Sequence, residues 1–209
     1  AVSLTGVAHY IKNVLQTMKG GEYLVEQGLR NEDIAFLREG WEVLKRSNRK
    51  IRSLVENILN YVRDSRPNRR KIALNSMVLE LLGQLSRHAS EHNVTLSPEL
   101  DSSLEDPWID PDQMYDAILN LVSNAIDACP TDHSGRVTVR TQQLPGRHQV
   151  LIEVIDNGHG ISEENQPKIF HLFFSTKGQK GTGIGLASTR KVIEDHGGTI
   201  EFESTENQG

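Results

Sequence analysis

Asp156-Asn157-Gly158-His159-Gly160-Ile161 decides how the second part of this chain is read. It follows directly on residues 149–155, whose alternating apolar pattern predicts a strand. Its glycines allow a ligand to approach the backbone closely, and the Asp156 carboxylate can accept hydrogen bonds from an amine. Upstream stands Asn120-Leu121-Val122-Ser123-Asn124-Ala125-Ile126-Asp127-Ala128, in which Asn120 and Asn124 share one helix face. Downstream, Gly181-Thr182-Gly183-Ile184-Gly185-Leu186 opens a helix, where backbone amides form an anion site. Lys177 and Lys180 precede it and add positive charge for phosphates. Each segment alone is a weak signal, since glycine-rich loops are often only turns. Neither a phosphate loop ending in Gly-Lys-Ser/Thr nor the dinucleotide Gly-x-Gly-x-x-Gly occurs, which disfavours the commoner nucleotide folds.

Around these segments the periodicity predicts helices at 75–92, with Asn75 as N-cap, at 111–128 behind Asp110-Pro111, and from Gly185 to about Asp195. Gly197-Gly198 is the stop signal for the last of these. Strands are predicted at 94–96, 136–141, 149–155 and, starting the last one, 199–203. The order implies an α+β domain, a mixed sheet with helices on one face.

The first 66 residues follow another period. Leu37, Trp41, Leu44, Asn48, Ile51, Val55, Ile58 and Val62 step alternately by four and three, a sustained heptad pattern on a helix over about 33–64. Leu4, Ala8, Ile11, Leu15 and Met18 repeat it on a helix over about 3–29. The polar break at Asn31-Glu32-Asp33 makes the pair an antiparallel hairpin. A lone hairpin leaves such seams uncovered, so a second copy and a four-helix bundle are expected, with Asn48 fixing register. Gly20-Gly21 weaken the first helix locally and are expected to allow a bend. Pro67 ends the second helix. The boundaries read as a hairpin over 1–66, a linker over 67–73 and an α/β domain over 74–209.

Composition sets the outer limits. The chain has 209 residues, a net charge of −5 and one cysteine, Cys129, so it forms no internal disulfide. This fits a reducing, cytoplasmic setting. No apolar run reaches the roughly 18 residues a bilayer span requires, so no membrane contact by this segment is expected. The basic stretch from Lys45 to Lys71 carries no interleaved aromatics for base stacking and reads as a solvated helix face, not a nucleic-acid surface.

Taken in order, the three segments resemble the ATPase family shared by gyrase, Hsp90, MutL and histidine kinases, over roughly Leu74 to the end. The resemblance implies that Asn124 binds Mg2+, that Asp156 accepts from the adenine amine, and that Gly158, Gly160 and Ile161 form the first glycine box. Ile169-Phe170-His171-Leu172-Phe173-Phe174-Ser175-Thr176-Lys177 resembles the phenylalanine box of histidine kinases. Gly181, Thr182, Gly183, Ile184, Gly185 and Leu186 match the second glycine box under the ATP lid. Asn120, Asp127, Phe173, Thr176, Lys177 and Lys180 complete the implied nucleotide site. Asp127 stands where many such kinases carry Lys or Arg, and Lys177 is expected to supply the missing phosphate contact, as in the nitrogen-sensor-like branch. The family's closing strand is expected to be cut short before Gly209.

Ala8-His9-Tyr10-Ile11-Lys12-Asn13 resembles the histidine box, His-Glu-x-x-Asn/Thr. His9 and Asn13 lie one turn apart, off the apolar seam, and are expected to point to solvent. The resemblance implies that His9 takes the γ-phosphoryl of MgATP and passes it to an aspartate of a response-regulator receiver. It implies a sensor ahead of Ala1, and it gives Asn13 a part in dephosphorylating the regulator. Tyr10 replaces the acidic residue that orients the imidazole and accepts its proton, which implies slow chemistry. No other histidine has a spacing that suggests metal ligation, while His159 and His171 are expected to line the ATP pocket.

Overall fold

A computed structural model describes residues 4–62, 66–146, 149–177, 181–206 and 209, with side chains for all of these except 4–7, 9, 53, 56, 57 and 59–62. They fall into two compact units. One comprises Ala1–Asp64 with Ile169–Ser188, the other Ser65–Lys168 with Thr189–Gly209.

Helices α1 (Leu4–Asn31) and α2 (Ile34–Val62) make the hairpin. Glu32 takes a left-handed φ of 53° at the turn. Asp33 then caps α2, its Oδ1 accepting from the amides of Ala35 at 2.8 Å and Phe36 at 3.4 Å. The face that joins the two helices differs from the expected heptad seam. It runs through Val14, Gly21 and Gly28 on α1 and Gly40, Ser47 and Leu54 on α2, all buried and each seven residues from the next. A Cβ on Gly40 would come within 2.7 Å of the Gly21 carbonyl oxygen and 2.8 Å of the Val25 amide. The glycines thus let the two backbones approach. Helix α1 runs unbroken past Gly20-Gly21, and Gly21 is a packing position. Much of the expected seam lies open: Trp41 is 59% exposed, Leu15 49% and Val55 48%, and Asn48 is exposed with them.

In the second unit a three-stranded sheet has the order β2 (Val94–Leu100), β4 (Gly135–Gln143), β5 (Val150–Asp156). The first pair is parallel and the second antiparallel. Helices α3 (Leu74–Glu91) and α4 (Pro111–Ala128) supply the apolar face that covers it. Alternation along β4 sends Val137 and Val139 inward against Val78, Leu81, Ile118, Val122 and Ile126, all fully buried. Each such aliphatic side chain contributes about 1.5–3 kcal/mol relative to exposure. On the outer face Arg140 reaches Glu99 at 2.7 Å and Glu153 at 3.2 Å across three strands, an exposed cluster worth little in stability. The class is the expected α+β, a mixed sheet.

Three local expectations need correction. Two residues of the expected linker, Arg70–Lys71, form β1 and pair with β3 (Trp108–Ile109). A ladder of two residues leaves no period to read. Asn75 does not cap α3. Ala73 stands at the cap without a side-chain bond, and Asn75 instead donates to the Asp101 carbonyl and accepts from the Thr141 hydroxyl, both at 2.8 Å. Residues 199–203 form no strand, since their neighbourhood is held by side chains: Ser204 Oγ accepts from the Ile161 amide and Gln166 donates to the Ser204 carbonyl.

The Asp110-Pro111 reading holds: Asp110 Oδ1 accepts from the amides of Asp112 and Gln113. So does the stop of α5 (Gly185–Asp195), where Gly197 has φ 81° and the Gly198 amide returns to the Ile193 carbonyl at 2.9 Å.

Candidate active site

The second unit gathers the first group of expected site residues where α4 and β5 end. Strand β5 delivers Asp156, and the chain then turns under the last turn of α4. The His159 amide donates to the Ala128 carbonyl at 3.1 Å, and a Cβ on buried Gly158 would strike that carbonyl. Asp156 Oδ1 accepts from the Gly158 amide at 2.8 Å, which fixes the carboxylate and leaves its second oxygen to serve an outside donor. Asn157 locks the loop to the start of β4, accepting from the Arg136 amide at 2.7 Å and donating to the Ser134 carbonyl at 2.8 Å. Gly160 has φ 64° and lies against the Thr205 carbonyl, so both its conformation and its surroundings require glycine. Burial pushes the Cys129 thiol pKa up, and the nearby Asp156 charge adds to the rise.

One turn apart on α4, Asn124 Nδ2 reaches Asn120 Oδ1 at 3.5 Å, and Asn120 Nδ2 donates to the buried Thr189 hydroxyl at 3.0 Å. Asn120 therefore acts between Asn124 and α5. The Asn124 side-chain oxygen is the kind of atom a hard dication takes. Asp127 engages α3, its Oδ1 lying 3.2 Å from His88 Nε2 and 4.0 Å from His92 Nε2. His88 and His92 stand four residues apart on one helix, and the carboxylate they meet comes from another helix well further along the chain, a pairing that sequence spacing does not display.

The second group belongs to the other unit. Phe173 has φ 68°, costly for a bulky residue, and its amide donates to the Gly183 carbonyl at 2.6 Å. Gly183, at φ 66°, lies flat against the backbone of Phe173 and Phe174. Ser175 Oγ accepts from the Lys177 amide at 3.2 Å and lies where a Gly181 Cβ would go. Thr182 Oγ1 meets the Ile184 amide at 3.5 Å ahead of Gly185 and Leu186, while Ile184 is fully buried. Thr176 is exposed and Lys177 half-buried. Lys180 lies outside the described residues. His159 and His171 are both exposed.

On the hairpin, His9 lies within α1, with its side chain outside the described set. Asn13 is half-buried, less open than its spacing suggested, and its carbonyl accepts from the Thr17 hydroxyl at 3.0 Å. The Tyr10 hydroxyl is buried without a hydrogen-bond partner among the described residues, and burial raises its pKa above the usual 10.

Against known proteins, the family model described as "Histidine kinase-, DNA gyrase B-, and HSP90-like ATPase" matches residues 109–209. That defines the class of the second part. The sensor histidine kinase ZraS of Salmonella typhi is 31% identical over 208 residues, 98% of this chain and 43% of that protein. The sensory histidine kinase/phosphatase NtrB of Vibrio alginolyticus is 30% identical over 95% of this chain and 57% of its own length. Among solved structures, the catalytic domain of histidine kinase ThkA is 32% identical, covering 67% of this chain and 90% of that one, with a TM-score of 0.58. ThkA in complex with response regulator protein TrrA matches 97% of this chain and 57% of that chain, at 25% identity and a TM-score of 0.78. The chain belongs to the sensor histidine kinase family, in the branch that resembles the nitrogen sensors. It spans about half the length of the curated relatives it matches.

Proposed function

We propose that this chain is an ATP-dependent protein-histidine kinase that phosphorylates its own His9 and passes the phosphoryl group to an aspartate of a response-regulator receiver. The observation that carries the reading is the fixed Asp156 carboxylate, held by the Gly158 amide beneath the last turn of α4 with Asn124 on the same helix. Asp156 accepts from the adenine amine. Asn124 would hold the Mg2+, which would offset phosphate charge, and Lys177 with the backbone amides opening α5 would add to that neutralisation. Gly158, Gly160 and Ile161 line the adenine side; Phe173, Thr176, Lys180, Gly181, Thr182, Gly183, Ile184, Gly185 and Leu186 form the lid side. The domains in this reading are the hairpin over 1–66 and the ATP-binding part over 74–209. The ATP complex supplies the phosphoryl group; the protein's residues position it against the His9 imidazole, a nucleophile that is partly neutral at pH 7.

The test is incubation with γ-labelled MgATP, acid and base treatment, then addition of receiver domains. Acid-labile, base-stable label that moves to a receiver supports the reading. Acid-stable label points to a serine kinase instead, and nucleotide binding without label points to a scaffold. In the NtrB-like setting, Asn13 orients the water that attacks the regulator's phospho-aspartate.

The open apolar face of the hairpin supports a homodimer through a four-helix bundle. Because Trp41 is 59% exposed in one chain, Trp41→Asp leaves the hairpin's own packing intact while placing a charge in the dimer core. The variant is expected to run as a folded monomer in light scattering at about 50 µM, where the parent chain runs as a dimer. A monomeric parent chain contradicts the bundle.

Tyr10 sets the chemistry's speed. Its pKa is raised, so the hydroxyl stays protonated from pH 6.5 to 9 and provides no base. Loss of a general base costs about 10²–10⁴-fold in rate. Autophosphorylation is expected to be slow and to rise with pH across that range, and Tyr10→Glu to accelerate it at pH 7. Tyr10→Phe keeps the slow rate and removes a buried hydroxyl without a described partner, leaving stability unchanged or higher by up to about 1 kcal/mol. Initial rates of all three proteins check this. A fast, pH-independent parent chain overturns it.

A further inference from the structure

We propose that His88, His92 and Asp127 form a binding site for a transition-metal dication of the Zn2+ class, which ties α3 to α4. Their ligand atoms all lie within 4.8 Å of one another. Asp127 Oδ1 stands 3.2 Å from His88 Nε2 and 4.0 Å from His92 Nε2. A tetrahedral ion with bonds of about 2.0–2.1 Å holds its ligand atoms about 3.3 Å apart, so small side-chain rotations close the set.

Two features favour a metal over a simple ion pair. First, His92 Nδ1 lies 3.0 Å from the His88 carbonyl oxygen. A carbonyl only accepts, so Nδ1 carries the hydrogen, and in the neutral imidazole Nε2 then holds the lone pair. That is the outer-shell arrangement that orients a metal-binding histidine. Second, the imidazole rings meet edge to face, with centroids 4.6 Å apart and planes at 78°, so the two rings converge on one carboxylate without stacking.

Two imidazoles and one carboxylate suit a borderline dication. Mg2+ and Ca2+ prefer sets made only of oxygen. The three side chains are 31–37% exposed, so an ion reaches them from solvent and keeps a water or a further ligand in the fourth position. Asp127 follows Asn124 by three residues on α4, so occupancy would also stiffen the helical turn that carries Asn124. That consequence rests on the kinase reading, whereas the binding itself does not.

The test is calorimetric titration of the whole 209-residue chain with ZnCl2, without nucleotide or Mg2+, at about pH 7.5 where imidazole is neutral. One Zn2+ per chain is expected. Thermal melting at about 100 times the dissociation constant should show a rise of roughly 5–10 °C. His88→Ala and His92→Ala should each weaken binding at least about tenfold, while His133→Ala, which removes an exposed histidine elsewhere, changes nothing. Melting without metal confirms that each variant is folded, and Co2+ substitution should give the absorption of a tetrahedral site that His88→Ala abolishes. Zinc that binds His88→Ala and His92→Ala as it binds the parent chain overturns the proposal. So does a parent chain that zinc leaves at the same melting temperature, which would make the cluster an ion pair and no more.

Discussion

Asp156→Asn is expected to weaken ATP binding by about 10- to 100-fold while leaving the melting temperature within about 2 °C of the parent chain. In the proposed reading the carboxylate has two jobs at once. Oδ1 accepts from the Gly158 amide at 2.8 Å, and Oδ2 is left for the adenine amine. An asparagine has one oxygen and one NH2 for the same two places. If the oxygen stays on Gly158, the NH2 faces the adenine amine, donor against donor. If the amide flips, the NH2 faces the Gly158 amide and the loop under α4 is disturbed. Either way one hydrogen bond to a charged acceptor is lost, worth about 1.5–3 kcal/mol. Fluorescent-nucleotide titration of both proteins decides it. Equal affinities would remove Asp156 from the nucleotide site.

Gly40→Leu is expected to unfold the hairpin or lower its stability by about 3 kcal/mol or more. At Gly40 a side chain meets the Gly21 carbonyl and the Val25 amide and methyl, mostly backbone that cannot rotate away. The helices must separate, and overpacking of this kind costs about 1–3 kcal/mol even for small additions. Gly20→Ala is the contrasting case. Nothing lies within 4 Å of a Cβ there, so alanine's helix preference should stabilise the hairpin by about 0.5–1 kcal/mol. Thermal melting followed by circular dichroism separates the two glycines. Equal effects would mean that the helices do not approach through Gly21 and Gly40.

This pair also marks what the sequence made legible and what it did not. The heptad of Leu37, Trp41, Leu44 and Val55 was readable because large apolar side chains carry the period. Trp41 and Val55 on it are left open on a single chain, while Leu37 and Leu44 are half-buried against Gly28 and Gly21. The face that closes the hairpin is made of Gly21, Gly28, Gly40 and Ser47, residues that score as weak helix formers and not as core. Small residues become core only when a second backbone lies against them, and a sequence alone does not display that. The same limit explains Asn75. Its cap-forming chemistry was visible, but its partners, Asp101 and Thr141, come from distant segments.

Elements fixed by local chemistry were legible almost to the residue. Asp110-Pro111 starts α4, Gly197-Gly198 ends α5, and alternation marks β4 and β5. The candidate site was readable as motifs because its glycines answer local backbone demands, as Gly160 and Gly183 do with positive φ. What escaped was pairing across the chain: the two-residue β1–β3 ladder, and His88 and His92 meeting Asp127.

The central claim is that His9 carries the phosphoryl group. The most direct measurement is phosphosite mapping, under neutral conditions that preserve phosphohistidine, after incubation of the parent chain and His9→Gln with labelled MgATP. The account predicts one phosphorylated residue, His9, in the parent chain, and no incorporation in His9→Gln although that variant still binds ATP. Label on any other residue, or undiminished incorporation in His9→Gln, would contradict it.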